Sequence, residues 1–283
     1  YSSLYAFESF NRKTPGGSLT WGYALSPLWR VFLTYTLEDV DINTSSSGVL
    51  LGSGSRLTIP STAFVANLFK DGLTSSVRAS ITYDKRDNRQ FPTKGAMHSV
   101  SAEFARPEIG SQNVFDRYRA FSRIYFPIFD PFIFKMNAEI GLITSSDKAG
   151  VPIFERFFLG GINTVRGFRP YSLGPRIQIP VSPDPNAALF SFRKGGDKSL
   201  IFNWEVEFDI LKAMMIKGVV FVDAGNAFDD DENYSLTNLR SSWGFGIRWY
   251  TFLGILRFEW GLPFSPQKGE EPIVFEFSIG GAF

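Results

Sequence analysis

Through most of this chain large apolar side chains recur at every second position, and the residues between them are small or charged. A period of two puts alternate residues on opposite faces of a β-strand, whereas a helix repeats every ~3.6 residues. The pattern is clearest near the C-terminus. Trp243, Phe245, Ile247 and Trp249 alternate with Ser242, Gly244, Gly246 and Arg248. Leu256, Phe258, Trp260 and Leu262 alternate with Arg257, Glu259 and Gly261, and Ile273, Phe275, Phe277 and Ile279 with Val274, Glu276, Ser278 and Gly280. Earlier, Phe202, Trp204, Val206 and Phe208 alternate with Asn203, Glu205, Glu207 and Asp209, and Phe134, Met136 and Ala138 with Lys135, Asn137 and Glu139. No segment keeps the helical period over many turns, so the chain is all-β.

Two all-β architectures fit alternation. A soluble sandwich turns its apolar face inward and its charged face to water. A transmembrane antiparallel β-barrel turns the apolar face to lipid, with aromatic girdles, and the polar face to the lumen. Aromatic residues are 16% of the chain (30 Phe, 10 Tyr and 6 Trp) and sit on the apolar face of nearly every strand. That distribution selects the barrel. Spanning helices are excluded, because no stretch approaches ~20 apolar residues; the longest, 213–222, contains Lys217.

Twelve segments read as strands: 3–11, 17–26, 28–40, 74–85, 95–106, 114–127, 131–144, 198–211, 216–227, 239–251, 254–264 and 272–283. Their connections alternate between tight turns and long loops (41–73, 145–197 and 228–238), as between the periplasmic and outer sides of such barrels. Residues 12–16 read as a short connection, and 60–70 as one short helix.

Composition removes several chemistries. The net charge of +1 offers no field for nucleic acid. Without cysteine there is no disulfide, thiolate metal site or cysteine nucleophile. The single histidine, His98, supports neither a multi-histidine metal site nor a conventional triad. We therefore expect no catalytic residues, no metal, no cofactor and no enzyme activity. The acidic run Asp229-Asp230-Asp231-Glu232 lacks the spacing of a calcium loop and reads as a solvated loop. Arg117, Arg119 and Arg123 share one strand face. They read as a lumen wall paired with Glu139, Glu205 and Glu207 rather than as the anion-attracting stripe of a selective pore.

Loop 145–197 is longer than a connection needs, and such loops are functional or disordered. Its centre, Phe157-Phe158-Leu159-Gly160-Gly161-Ile162-Asn163-Thr164-Val165-Arg166-Gly167-Phe168-Arg169, is too apolar for disorder. This run resembles the Val-Arg-Gly-Phe loop of the BamA-like outer-membrane β-barrel assembly factors, a superfamily that also contains two-partner secretion transporters and organelle import barrels. Three further stretches agree in order: Ile81-Thr82-Tyr83-Asp84-Lys85-Arg86-Asp87 with Phe91-Pro92-Thr93-Lys94-Gly95, then Phe221-Val222-Asp223-Ala224-Gly225-Asn226, then the terminal Phe275-Glu276-Phe277-Ser278-Ile279-Gly280-Gly281-Ala282-Phe283. The likeness covers 74–283 by motif and 1–73 by strand rhythm.

The resemblance implies that the loop bearing Val165, Arg166, Gly167 and Phe168 folds into the lumen, where Arg166 meets acidic wall groups. Strand alternation nominates Glu207 and Asp223 for that contact. The competing reading leaves Arg166 a solvated loop charge. The terminal signal and weak lateral seam fall on Phe275, Phe277, Ile279, Gly280, Gly281 and Phe283, although the paired glycines also suit a simple bend at the rim. The implied function is an insertase that helps β-barrel proteins fold into the outer membrane of a Gram-negative bacterium, or alternatively a polypeptide-translocating pore of the two-partner secretion type. Implied partners are the lipid bilayer, nascent outer-membrane β-barrel proteins, and accessory periplasmic or lipoprotein subunits. The resemblance further implies that 1–283 is the C-terminal part of a sixteen-strand transmembrane barrel. Its first four strands and the periplasmic substrate-binding domains would then be absent from this sequence. Closure of the twelve strands requires the segment starting near Tyr1 to pair with the one ending at Phe283.

Overall fold

The computed structural model describes residues 2–6, 11–43, 71–148, 150–180, 189–252 and 254–280. The helix expected at 60–70, and Gly281 and Phe283 of the terminal signal, lie outside these residues. The strands are β1 (Ser2–Ala6), β2 (Asn11–Ala24), β3 (Trp29–Asn43), β4 (Gly72–Asp84), β5 (Gly95–Ala105), β6 (Phe115–Phe129), β7 (Phe132–Thr144), β8 (Arg176–Pro180), β9 (Leu189–Arg193), β10 (Lys198–Leu211), β11 (Ile216–Phe228), β12 (Arg240–Thr251), β13 (Gly254–Pro263) and β14 (Val274–Ile279). Among the described residues twelve of them form one sheet, in which every chain neighbour is a sheet neighbour and β10 follows β7 directly. All its ladders are antiparallel.

Each of the twelve expected segments matches one sheet strand. Two details differ. Residues 12–16, expected as a connection, belong to β2 and pair with β1 from Ser2↔Pro15 to Ala6↔Asn11. Strand β2 packs closely on β3 there: a Cβ at Gly16 would sit 2.6 Å from the Leu37 carbonyl oxygen. The second is β8–β9, a separate two-stranded hairpin inside the long loop, which alternation did not single out.

Side-chain exposure decides between sandwich and barrel. On β12, Trp243, Phe245, Ile247 and Trp249 are 41–46% exposed, while Ser242 and Arg248 between them are fully buried. On β14, Phe275, Phe277 and Ile279 are likewise exposed. Charge inside and aromatic surface outside is the arrangement of a strand wall set in lipid. Most of these strands run 10–15 residues, enough for the ~9–11 that a tilted strand needs to cross the hydrocarbon.

The sheet curls around a lumen. Phe91, in the β4–β5 turn, packs on Tyr250 of β12 with ring centroids 4.9 Å apart, although β6, β7, β10 and β11 stand between β5 and β12. Among the described residues β1 and β14 are the two ends of the sheet order, with no ladder joining them. The packed core lies inside the lumen, where Val151, Phe157, Leu159, Val165, Phe168 and Leu173 of the long loop meet Phe115, Ile143, Ile201 and Ala227 of the wall.

Candidate functional site

Loop 145–197 enters the lumen as a folded body. Phe157 pairs with Gly196 and Leu159 with Leu173 as isolated bridges. The Gly161 amide donates to the carbonyls of Val165 and Phe168, and the Gly160 amide to the Thr164 hydroxyl. These bonds curl 160–168 into a compact turn with Arg166 at its tip. Gly167, at φ +82, then packs directly against the β13 backbone at Gly261. Side chains rarely adopt that φ, and the close approach leaves no room for one.

Arg166 is fully enclosed. Its Nε and Nη2 donate to the two carboxylate oxygens of Asp223, both at 2.7 Å, and its backbone amide donates to the same carboxylate at 3.0 Å. Its Nη1 donates to Glu205 at 3.0 Å and to Glu259 at 3.1 Å. The guanidinium lies 3.6 Å from the centroid of the Phe221 ring, and the Ser242 hydroxyl donates to the Arg166 carbonyl. Charge-assisted, two-pronged bonds of this kind are strong and geometrically specific. The Asp223 contact is thus present, and Val165, Gly167 and Phe168 are packed around it.

Glu207 is placed differently from expectation. The Arg166 contact on β10 is made by Glu205, and Glu207 is taken by Lys135 (2.7 Å), Lys217 (3.1 Å), Arg248 (3.2 Å) and the Tyr250 hydroxyl (2.9 Å). The reason is register. Glu205 pairs with Phe221 of β11, the ring under Arg166, whereas Glu207 pairs with Val219, one pleat nearer the β10–β11 turn. A second layer joins the two glutamates: Arg248 donates to Glu205, Glu207 and Glu259. Arg257 bonds Glu259 and reaches the Ile162 carbonyl in the loop. Five cationic and four anionic side chains are interleaved, so each buried charge has opposite neighbours, the condition under which burial of ions is tolerated. Alternation marked Glu205, Arg248, Arg257 and Glu259 as polar-face residues; which of them converge depends on ladder register and sheet curl.

Of the partners expected for the arginines of β6, Glu139 of β7 is a charge neighbour of Arg119 and Arg123, but Glu205 and Glu207 are not engaged, and the bonds go elsewhere. Arg117 binds Glu103 of β5 at 3.1 Å and both the carboxylate and the carbonyl of Glu155 in the loop. Glu103 in turn accepts from Ser76 and Arg78. Arg119 lies over the Phe157 ring at 5.1 Å, and Arg123 bonds Asn137. The β5–β6 register sets Arg117 opposite Glu103, whereas Glu205 and Glu207 stand two strands away. The loop is therefore tied to the wall at its tip by Arg166 and near its start by Glu155.

Its end is held by backbone bonds, the Asp197 carbonyl accepting from the Ile143 amide and the Asp197 amide donating to the Phe228 carbonyl. Arg156 lies 3.4 Å from Asp197 and 3.8 Å from Asp229, and Lys194 pairs with Asp229. Burial pushes the Asp197 carboxyl up to about 6, with Arg156 pulling it down and Asp229 and Asp230 pushing it up. Because the folded value exceeds the unfolded one, the folded loop root takes up a proton as pH falls through 6 and is stabilised relative to neutral pH. Hydrogen exchange at Asp197 and Ser199, corrected for intrinsic rate, is expected to slow between pH 7.5 and 5. Asp197→Asn is expected to abolish that dependence.

The family model described as the Omp85 superfamily domain matches residues 1–283. The outer membrane protein assembly factor BamA of Nitratidesulfovibrio vulgaris is 24% identical over 298 residues, an alignment covering all of this chain and 33% of that protein. The protein of the same name from Neisseria meningitidis serogroup B is 27% identical over 228 residues, covering 71% of this chain and 28% of that one. The crystal structure of BamA from Haemophilus ducreyi lacking POTRA domains 1-3 matches the fold with a TM-score of 0.75 at 19% identity, over 100% of this chain and 57% of that one. The chain spans about a third of the length of these two curated relatives.

Proposed function

The chain belongs to the Omp85 superfamily, and from that membership we propose that it is the membrane wall of a factor that assembles β-barrel proteins in the outer membrane. The observation that carries this reading is the filled lumen. A loop locked at its tip by Arg166 and near its start by Glu155 stands where a conduit would have to run. Work on a client must then be done at the wall. In hydrocarbon every unpaired backbone group is costly, so an entering strand needs a template with free N–H and C=O groups.

The last strand suits that role. The β14 ladder runs for six pairs, from Val274↔Gly261 to Ile279↔Leu256, against ten in the ladder before it. Among the described residues β14 pairs on one side only. Its outer face carries Phe275, Phe277 and Ile279, and the glycine that ends it, Gly280, has φ +150. A span this short also favours local thinning of the bilayer. The seam residues would offer an edge to nascent β-barrel proteins, with accessory periplasmic or lipoprotein subunits delivering them. No catalytic step and no cofactor enter this scheme.

Proteoliposomes carrying the protein are expected to speed the folding of an added barrel protein several-fold without steady conductance. A photoreactive group at Phe277 is expected to crosslink a strand of that client. Steady large conductance with no acceleration would overturn the proposal in favour of a secretion pore.

A further inference from the structure

The β4–β5 turn does more than join two strands. Its conformation is set by its own side chains. Asp87 accepts from the amides of Thr93 and Lys94 and from the Thr93 hydroxyl, and Asn88 accepts from the amides of Gln90 and Phe91. Arg86 lies along Asp84, with bonds of 2.8 and 3.0 Å, and both side chains are about nine-tenths buried. So braced, the turn extends across the periplasmic mouth until Phe91 meets Tyr250 edge-on from four strands away.

Tyr250 belongs to the charged network. Its hydroxyl donates to Glu207 Oε2, the same oxygen that receives Lys135 and Arg248. Arg248 also holds Glu205 and Glu259, and both of these hold Arg166. An unbroken series of contacts therefore runs from the periplasmic turn to the tip of the lumen loop. The Phe91 ring braces Tyr250 edge-on from the turn, while the Lys217 ammonium lies over the same ring at 5.4 Å. Without the Phe91 brace Tyr250 is free to turn away, Glu207 loses a donor, and Arg248 is drawn toward Glu207 and off the glutamates that seat Arg166.

We propose that Phe91 is a positioning residue for the Arg166 lock, and that the 85–94 turn is a floor through which events at the periplasmic mouth set the grip on the loop. The proposal concerns the coupling of turn and loop, and it stands or falls independently of the assembly function.

The absence of cysteine from the sequence makes the test direct. Val165, in the loop beside Arg166, is fully buried against the wall, so in a Val165→Cys background the rate of maleimide labelling reports release of the loop in the full chain reconstituted in bilayers. Phe91→Ala is expected to raise that rate by about threefold to thirtyfold, the range seen for changes along coupled contacts. Phe91→Tyr, which keeps the ring, is expected to restore it. Tyr250→Phe keeps the ring contact and removes only the bond to Glu207; it is expected to raise the rate as well, and it replaces Phe91→Ala if that variant does not fold. In an Arg166→Ala background, Phe91→Ala is expected to add nothing, because its path runs through the lock. Unchanged labelling in both single variants, or an equal increase with and without Arg166, would overturn the proposal.

Discussion

Replacing Arg166 by alanine is expected to release the lumen loop while leaving the barrel wall folded. The substitution strands the buried Asp223 carboxylate and takes one donor from Glu205 and one from Glu259, which keep Arg248 and Arg257. Removing one partner of a buried ion pair costs about 3–5 kcal/mol, because the remaining charge stays desolvated. The wall itself keeps its ladders and the second layer of Arg248 and Arg257. In the Val165→Cys background, labelling is expected to rise about a hundredfold or more, in line with that energy, with heat-modifiable gel migration unchanged. Arg166→Lys is expected to fall between the two. An ammonium restores the charge but not the two parallel bonds to Asp223. Folding assistance in proteoliposomes is expected to fall with loop retention across the three proteins; full activity of the alanine variant would separate the lock from the function.

Gly261→Ala is expected to expel the loop from the opposite side of the same contact. A Cβ there would stand 2.3 Å from the Gly167 nitrogen and 2.4 Å from its Cα. Both are backbone atoms of a turn already closed by its own hydrogen bonds, so no side-chain rotation relieves the clash. Overpacking a well-filled site costs about 1–3 kcal/mol, and here the loop, held by polar contacts, is the part able to move. Labelling at the Val165→Cys thiol is expected to rise by at least about fivefold, the low end of that energy range. Gly17→Ala is the control: a Cβ at Gly17 has nothing within 4 Å and is expected to change neither labelling nor gel migration. An unmoved loop in Gly261→Ala would mean that β13 itself yields.

Strand identity was legible because each strand of such a wall meets a different solvent on each face, and the side-chain period of two records both. Even the segments with mixed composition, such as 114–127, match a strand within two residues. The pairing of Arg166 with Asp223 was also within reach, since the family resemblance implied an acidic wall contact for Arg166 and alternation nominated Asp223 for it. Glu207 was the reasonable second partner by alternation, and it lies on the correct face of the correct strand. It misses Arg166 by one pleat, an offset that no single strand can reveal.

The residues by themselves thus determined what is local: strand, turn, which face meets lipid, and that the long loop is a packed body. Tertiary structure decided what depends on how far the sheet curls and in which register its ladders lie. It brought Glu205, Glu259 and Arg248 to one point, gave Arg117 to Glu103 and Glu155, and laid the 85–94 turn across to Tyr250. The physical reason is that alternation constrains each strand separately, through the transfer of its side chains between lipid and lumen. A charge inside the lumen has no such local reporter. Its partner is chosen by the distance across a curved wall, and that distance exists only once all the strands are in place.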